Sequence, residues 1–142
     1  MPKRSRAETP PTFLADRSVG RYIVPDTLRA AGWTVLTLAD IWGEQNAQAL
    51  ADVTWLAHAA EQGMPVLTQD DNIRRNAGEL QALQVGAVRV FAVTNGQLPG
   101  HEVAQLYVTH QHRIFQKCRK PGPFVATVHE RGVEWLIRPP KK

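Results

Sequence analysis

The sequence predicts an α/β protein: a three-layer α/β/α sandwich around a mostly parallel sheet, with a C-terminal β-hairpin at the sheet edge. Three observations predict it. Short apolar runs of strand character alternate with helical stretches, the pattern of a parallel sheet covered on both faces. The joining segments are short, and several close on glycine or proline. The last two strand-like runs have no helix between them, only Glu130-Arg131-Gly132, so they pair as a hairpin. The 142 residues fit one domain, and with 43% apolar and 21% charged residues they can bury a core without staples.

Each element has its own signal. Residues 1–11 are polar and basic, with Lys3, Arg4, Arg6 and three prolines, and read as a flexible tail. One domain then spans residues 12–138, and residues 139–142 form a frayed end. Residues 12–15 are a short apolar strand, and 25–31 a helix stopped by Gly32. Residues 33–38 are β-branched and aromatic, hence a strand. Residues 52–62 form a strong helix whose apolar face is Val53, Leu56, Ala57 and Ala60, ended by Gly63. Residues 65–68 are another strand. A poorer helical stretch, 72–85, contains Gly78. Residues 87–93 form a buried strand between Gly86 and the turn pair Asn95-Gly96. A long helix covers roughly 100–118, with Val103, Leu106, Tyr107 and Ile114 on one stripe. Lys117, Arg119 and Lys120 suit the negative end of its dipole. Strands 124–129 and 133–137 close the chain.

Composition excludes several function classes. No apolar run approaches a membrane span, since the stretch 85–93 is interrupted by Gly86 and Arg89. The first twelve residues lack the apolar core of a signal peptide, so a cytoplasmic protein without membrane association is expected. The single cysteine, Cys118, forbids an internal disulfide framework and a cysteine-rich zinc site, and is expected to be a packed, idle thiol. There is no phosphate-binding glycine loop and no zinc-protease motif. His110 and His112 lie two apart on a helix and point to different sides, while His58 and His129 read as surface or interface residues. Ser5 and Ser18 lie in no nucleophile elbow.

Charge is unevenly placed. Residues 13–80 hold nine acids against five Lys/Arg, whereas residues 81–142 hold three acids against nine. An acidic half joined to a basic half fits a cation site beside a surface that grips a polyanion.

The acids follow the strands. In a parallel sheet, ligands bind beyond the carboxyl ends of the strands. Asp16 directly follows the first strand, Asp40 comes two residues after the second, and Asp70 and Asp71 follow the third. Asp52 begins the second helix and so faces the same rim. Asp52 also suits a helix cap, and Asp40 and Asp71 suit turns. Asp16 has no such structural duty. Converging carboxylates repel unless a cation neutralises them. Mg²⁺ and Mn²⁺ prefer such oxygens and bridge to phosphate, which is the requirement of phosphodiester hydrolysis.

Phe13-Leu14-Ala15-Asp16-Arg17-Ser18, the helix end Leu28-Arg29-Ala30-Ala31-Gly32, the helix start Asp52-Val53-Thr54-Trp55-Leu56 and the strand end Thr68-Gln69-Asp70 occur in this order. Together they resemble the PIN-like domains of VapC-type toxins, the ribonuclease halves of bacterial toxin–antitoxin pairs. The resemblance covers residues 13–100 and extends toward 137. It implies an α/β/α fold and a Mg²⁺- or Mn²⁺-dependent endoribonuclease. It places Asp16, Asp52 and Asp70 on the metal and Thr68 in support. Asp40 fills the intermediate acidic position, with Glu44 the alternative. Asn72 and Ile73 stand where the family often has a second acid and an aromatic, so Asp71 and Asn72 are kept as supporting residues. Arg17, Arg21, Arg74 and Arg75 are the nearest candidates for the RNA backbone; Arg113, Lys117, Arg119 and Lys120 form a second basic stretch. An RNA substrate, a cognate antitoxin protein and a homodimer are the implied partners.

Two other functions fit the same pattern. A non-catalytic nucleic-acid-binding module would keep the fold and tolerate loss of the acids. A receiver-like phosphoacceptor domain also gathers acids at strand ends. It usually has a lysine after a late strand, where this chain has Thr94-Asn95-Gly96.

Overall fold

The computed structural model of the chain describes residues 10–72, 75 and 87–141. The expected helix 72–85 and Arg74 therefore lie largely outside the described residues, as does most of the expected basic tail. In chain order the elements are β1 (Thr12–Ala15), a 3₁₀ turn (Arg17–Val19), α1 (Ile23–Ala30), β2 (Thr34–Thr37), α2 (Leu38–Trp42), α3 (Glu44–Ala49) and α4 (Asp52–Gln62). They continue with β3 (Val66–Gln69), β4 (Arg89–Val93), α5 (Gly100–Thr109), α6 (Gln111–Lys117), β5 (Phe124–His129) and β6 (Gly132–Ile137). Among the described residues no helix is long and apolar enough to cross a membrane.

The six strands form one sheet in the order β2-β1-β3-β4-β5-β6. All neighbours are parallel except β5 and β6, the expected edge hairpin. The chain moves from β1 outward to β2, then returns to place β3 on the other side of β1. The strand order thus reverses between β1 and β3, and a crevice opens at the carboxyl ends of those two strands. Leu14 is in register with Val66, and Ala15 with Leu67.

Alternation along each strand divides the core in two. Phe13, Ala15, Val35, Leu67, Phe91, Val93 and Phe124 face one layer, made of α1, α5 and α6. There Phe13 packs against Trp33, Phe91 and Phe115 with ring centroids 4.8, 6.4 and 6.1 Å away. Leu14, Val66, Val90, Ala92 and Val125 face the other, where α2, α3 and α4 supply Leu38, Ala47, Trp55, Leu56 and Ala59. Between the start of β4 and that of β5 the backbones nearly touch. A Cβ on Gly122 would stand 2.1 Å from the Ala87 carbonyl oxygen, so only glycine fits there.

Three sequence expectations are corrected. The long helix over 100–118 is two helices. His110 (φ −106°, ψ 20°) leaves helical geometry between α5 and α6. The β-branched pair Val108 and Thr109 precedes the break, and the Trp33 indole donates to Gln111 Oε1 (2.9 Å), fixing the new direction. The buried face of α4 is Trp55, Leu56 and Ala59, with Val53 47% exposed. Trp55 decides this rotation, because its indole packs inward while its Nε1 donates to Asp52 (3.1 Å). The strand expected over 33–38 ends at Thr37, and the stretch from Leu38 through residue 51, of which 39–51 had no element assigned, holds the two short helices α2 and α3.

Candidate functional site

Asp16 leaves the end of β1 beside β3, at the reversal point. Its backbone N–H donates to the Leu67 carbonyl (3.1 Å), which fixes where its side chain emerges. One carboxylate oxygen accepts from the Ser18 backbone N–H (2.8 Å) and from the Ser18 hydroxyl. The other accepts from the Thr68 hydroxyl on β3 (2.7 Å). The Ser18 hydroxyl in turn accepts from the Gln69 N–H (2.9 Å), so the turn after β1 is stitched to the end of β3. All these donors are neutral. Burial raises the Asp16 pKa above its ordinary 3.8; the bonds from Ser18 and Thr68 oppose the rise, and the nearby charge of Asp52 adds to it.

Asp52 opens α4 and reaches the same rim. Arg17 holds it there: its guanidinium donates to the Ala47 carbonyl (2.8 Å), the Leu50 carbonyl (3.2 Å) and Asp52 (3.4 Å). Asp70 lies on this edge too, its N–H donating to the Val93 carbonyl (3.0 Å) and its carboxylate accepting from the Asn72 N–H (2.8 Å). Asp71 sets its carboxylate against Gly96, where a Cβ would stand 2.8 Å away. Behind the rim, the buried Tyr107 hydroxyl lies 3.1 Å from the Thr68 carbonyl and 3.0 Å from that of Phe91.

The two candidates for the intermediate acid occupy different places. Asp40 closes a capping box with Thr37 at the start of α2 and pairs with Arg29 (2.9 Å). Its burial acts to raise its pKa, but the bonds from Thr37 and the Arg29 charge outweigh this and hold the carboxyl below the usual range. Glu44 lines a pocket of about 170 Å³ together with Asp16, Arg17 and Arg21, and Asp40 does not. Arg21 pairs with Glu44 and lies over the Tyr22 ring. Both Arg17 and Arg21 therefore already have protein partners, while Arg75 is exposed. Among the described residues, no three Asp, Glu, His or Cys side chains are grouped closely enough to hold an ion by themselves.

Residues 11–95 match the family described as PIN like domain. The chain belongs to this PIN-like family. It is also 38% identical over 117 residues to a Mycobacterium tuberculosis protein named "Putative ribonuclease VapC45", an alignment covering 82% of this chain and 85% of that protein. No solved structure matches the chain.

Within this PIN-like domain, sequence reasoning gave no role to Ser18 or Tyr107. A serine two residues after a strand-end aspartate is a local signal for a turn that the aspartate caps, and Asp16 does cap the Arg17–Val19 turn, which corrects the expectation that it has no structural duty. Tyr107 carried only a core signal, because its polar tip finds its partners through tertiary packing. Cys118 is buried at the end of α6 as expected, and burial pushes its thiol up to about 12. Its thiolate fraction at pH 8 is then about three orders of magnitude below that of a free cysteine. Alkylation by iodoacetamide should be slower by about that factor in the folded protein and recover on unfolding, as mass spectrometry can follow.

Proposed function

We propose that this PIN-like domain is a Mg²⁺- or Mn²⁺-dependent endoribonuclease, acting as the toxin of a VapBC-type toxin–antitoxin pair in the cytoplasm. The observation that carries the reading is Asp16: a half-buried carboxylate at the strand reversal, held by neutral donors and within the field of a second carboxylate. Family membership and the name of the mycobacterial relative point the same way. An RNA substrate, a cognate antitoxin and a homodimer are the partners in this reading, and the nuclease unit spans residues 12–138.

The donor set fits a hard dication. Mg²⁺ commonly keeps several of its waters, takes one or two carboxylates and completes its shell with substrate phosphate, so a closed cage of three acids is not required. Asp16 would hold the ion, with Asp52 and Asp70 binding through water from the same rim. Such an ion supplies an activated water and offsets charge on the phosphoryl group. The chain does the rest. Thr68 and Ser18 fix the direction of the Asp16 carboxylate, and Arg17 keeps Asp52 at the rim while damping its repulsion of Asp16. Glu44, which shares the pocket with Asp16, takes the intermediate acidic place in preference to Asp40. Asp71 and Asn72 shape the turn beyond Asp70.

Incubating the purified protein with mixed RNAs tests this. Cleavage should appear with Mn²⁺ or Mg²⁺ and vanish with EDTA. RNA left intact under every metal condition would leave the binding-module reading in its place.

A further inference from the structure

The sheet edge opposite Asp16 gathers cations that the proposed cleavage site does not use. There α6 ends at Lys117, and β6 runs down to Ile137 with Arg138 just beyond. The Lys117 ammonium lies over the Trp135 ring, 4.1 Å from its centroid, and Phe124 braces that ring edge-on at 4.9 Å. Arg113 stands one helical turn before Lys117, and Arg119 and Lys120 follow the helix. Arg113, Arg119, Lys120 and Arg138 are all exposed. Among the described residues, no carboxylate forms an ion pair with any of these five cations. Burial first, then the like charges of Arg113 and Arg138, hold the Lys117 ammonium below the ordinary lysine range. Cations crowded this way without counter-charge attract an anion that relieves their repulsion.

We infer that this α6–β6 face is an RNA exosite, gripping the phosphodiester backbone of a long or folded RNA away from the rim where cleavage is proposed. That role in substrate choice rests on the ribonuclease reading; the binding itself does not. The backbone is the feature recognised, because Trp135 is engaged by Lys117 and Phe124 and offers no free platform for a base. The rim at β1 and the face at β6 are four strand spacings apart across the sheet and at opposite ends of strands roughly 20 Å long, a separation of about 28 Å. A tetranucleotide seated at the rim does not reach the exosite, whereas a structured RNA does. Length discrimination follows.

The test pairs binding with cleavage. Fluorescence anisotropy in EDTA, with a labelled multi-helix RNA, compares the wild-type protein with Arg113→Gln/Arg138→Gln and with the charge-keeping Arg113→Lys/Arg138→Lys. The glutamine pair should bind about tenfold more weakly, with a salt slope smaller by about two, and the lysine pair should retain affinity. Mn²⁺-dependent cleavage of a tetranucleotide should be unchanged by the glutamine pair. Unchanged affinity for the long RNA overturns the exosite, and so does an equal loss on the tetranucleotide. Loss of binding to phosphatidylglycerol vesicles with RNA affinity intact would overturn it in favour of a membrane contact. If the wild-type protein cleaves no RNA yet the binding difference persists, the ribonuclease reading fails and the exosite stands.

Discussion

Asp16→Asn should abolish RNA cleavage and, at neutral pH, make the protein more stable. Metal-held charge at a phosphoryl centre is worth several kcal/mol, so removing the carboxylate proposed to hold the ion should slow cleavage by about 10³-fold or more. Stability moves the other way. The folded state holds the Asp16 proton more tightly than the unfolded chain, because burial raises its pKa. Between the unfolded and folded pKa values, stability therefore falls as pH rises, and above the folded value it stays at the lower level. Asparagine never ionises and escapes that loss, while its amide can still accept from the Ser18 N–H and donate to Thr68. The gap in Tm between variant and wild type should be absent below the ordinary 3.8 and open as pH climbs. Each ~1 kcal/mol of such a gain reads as a rise of roughly 3–5 °C. Metal-free thermal melts across pH, set beside a cleavage assay, check both halves. A variant that melts below the wild type at pH 7 would show that Asp16 carries no burial penalty.

Tyr107→Phe should cost about 1–3 kcal/mol, or several degrees of Tm, by leaving strand carbonyls without their buried donor. The phenol is fully buried, and both burial and the Asp16 charge raise its pKa, so it remains a donor at any working pH. Its acceptors are carbonyls of Thr68 and Phe91, on adjacent strands β3 and β4. Thr68 also presents the hydroxyl that orients Asp16. Loss of the phenolic hydroxyl should therefore lower kcat for RNA more than it raises KM, with a smaller fall than Asp16→Asn gives. Hydrogen exchange at β3 together with steady-state cleavage reads this out. Unchanged Tm and exchange would remove Tyr107 from the support of the rim.

The strands were legible because each is short, apolar and bounded by glycine, proline or a turn pair, and α4 was legible in its bounds though not in its orientation. Periodicity pointed to the face carrying Val53, and contact with the sheet chose instead the one a step away, carrying Trp55. The segments α2 and α3 have five and six residues, too few for a helical repeat to register. Thr37-x-x-Asp40 does spell a capping box, which is how Asp40 is used in the fold. The break at His110 depends on a bond from Trp33, 78 positions away from its partner Gln111, which no local pattern reveals. The rim was approachable because acids directly after strands are few. Its inner bonds were not, since Ser18 and Thr68 meet Asp16 only once β3 lies against β1.

That meeting sets a schedule for protein synthesis. Asp16 and Thr68 are 52 positions apart, and β3 must emerge and slot in beside β1 before the carboxylate has its hydroxyl partner. A nascent chain still short of that strand has no assembled rim. The rim is therefore not assembled beside the ribosome until the chain through Gln69 has left the exit tunnel.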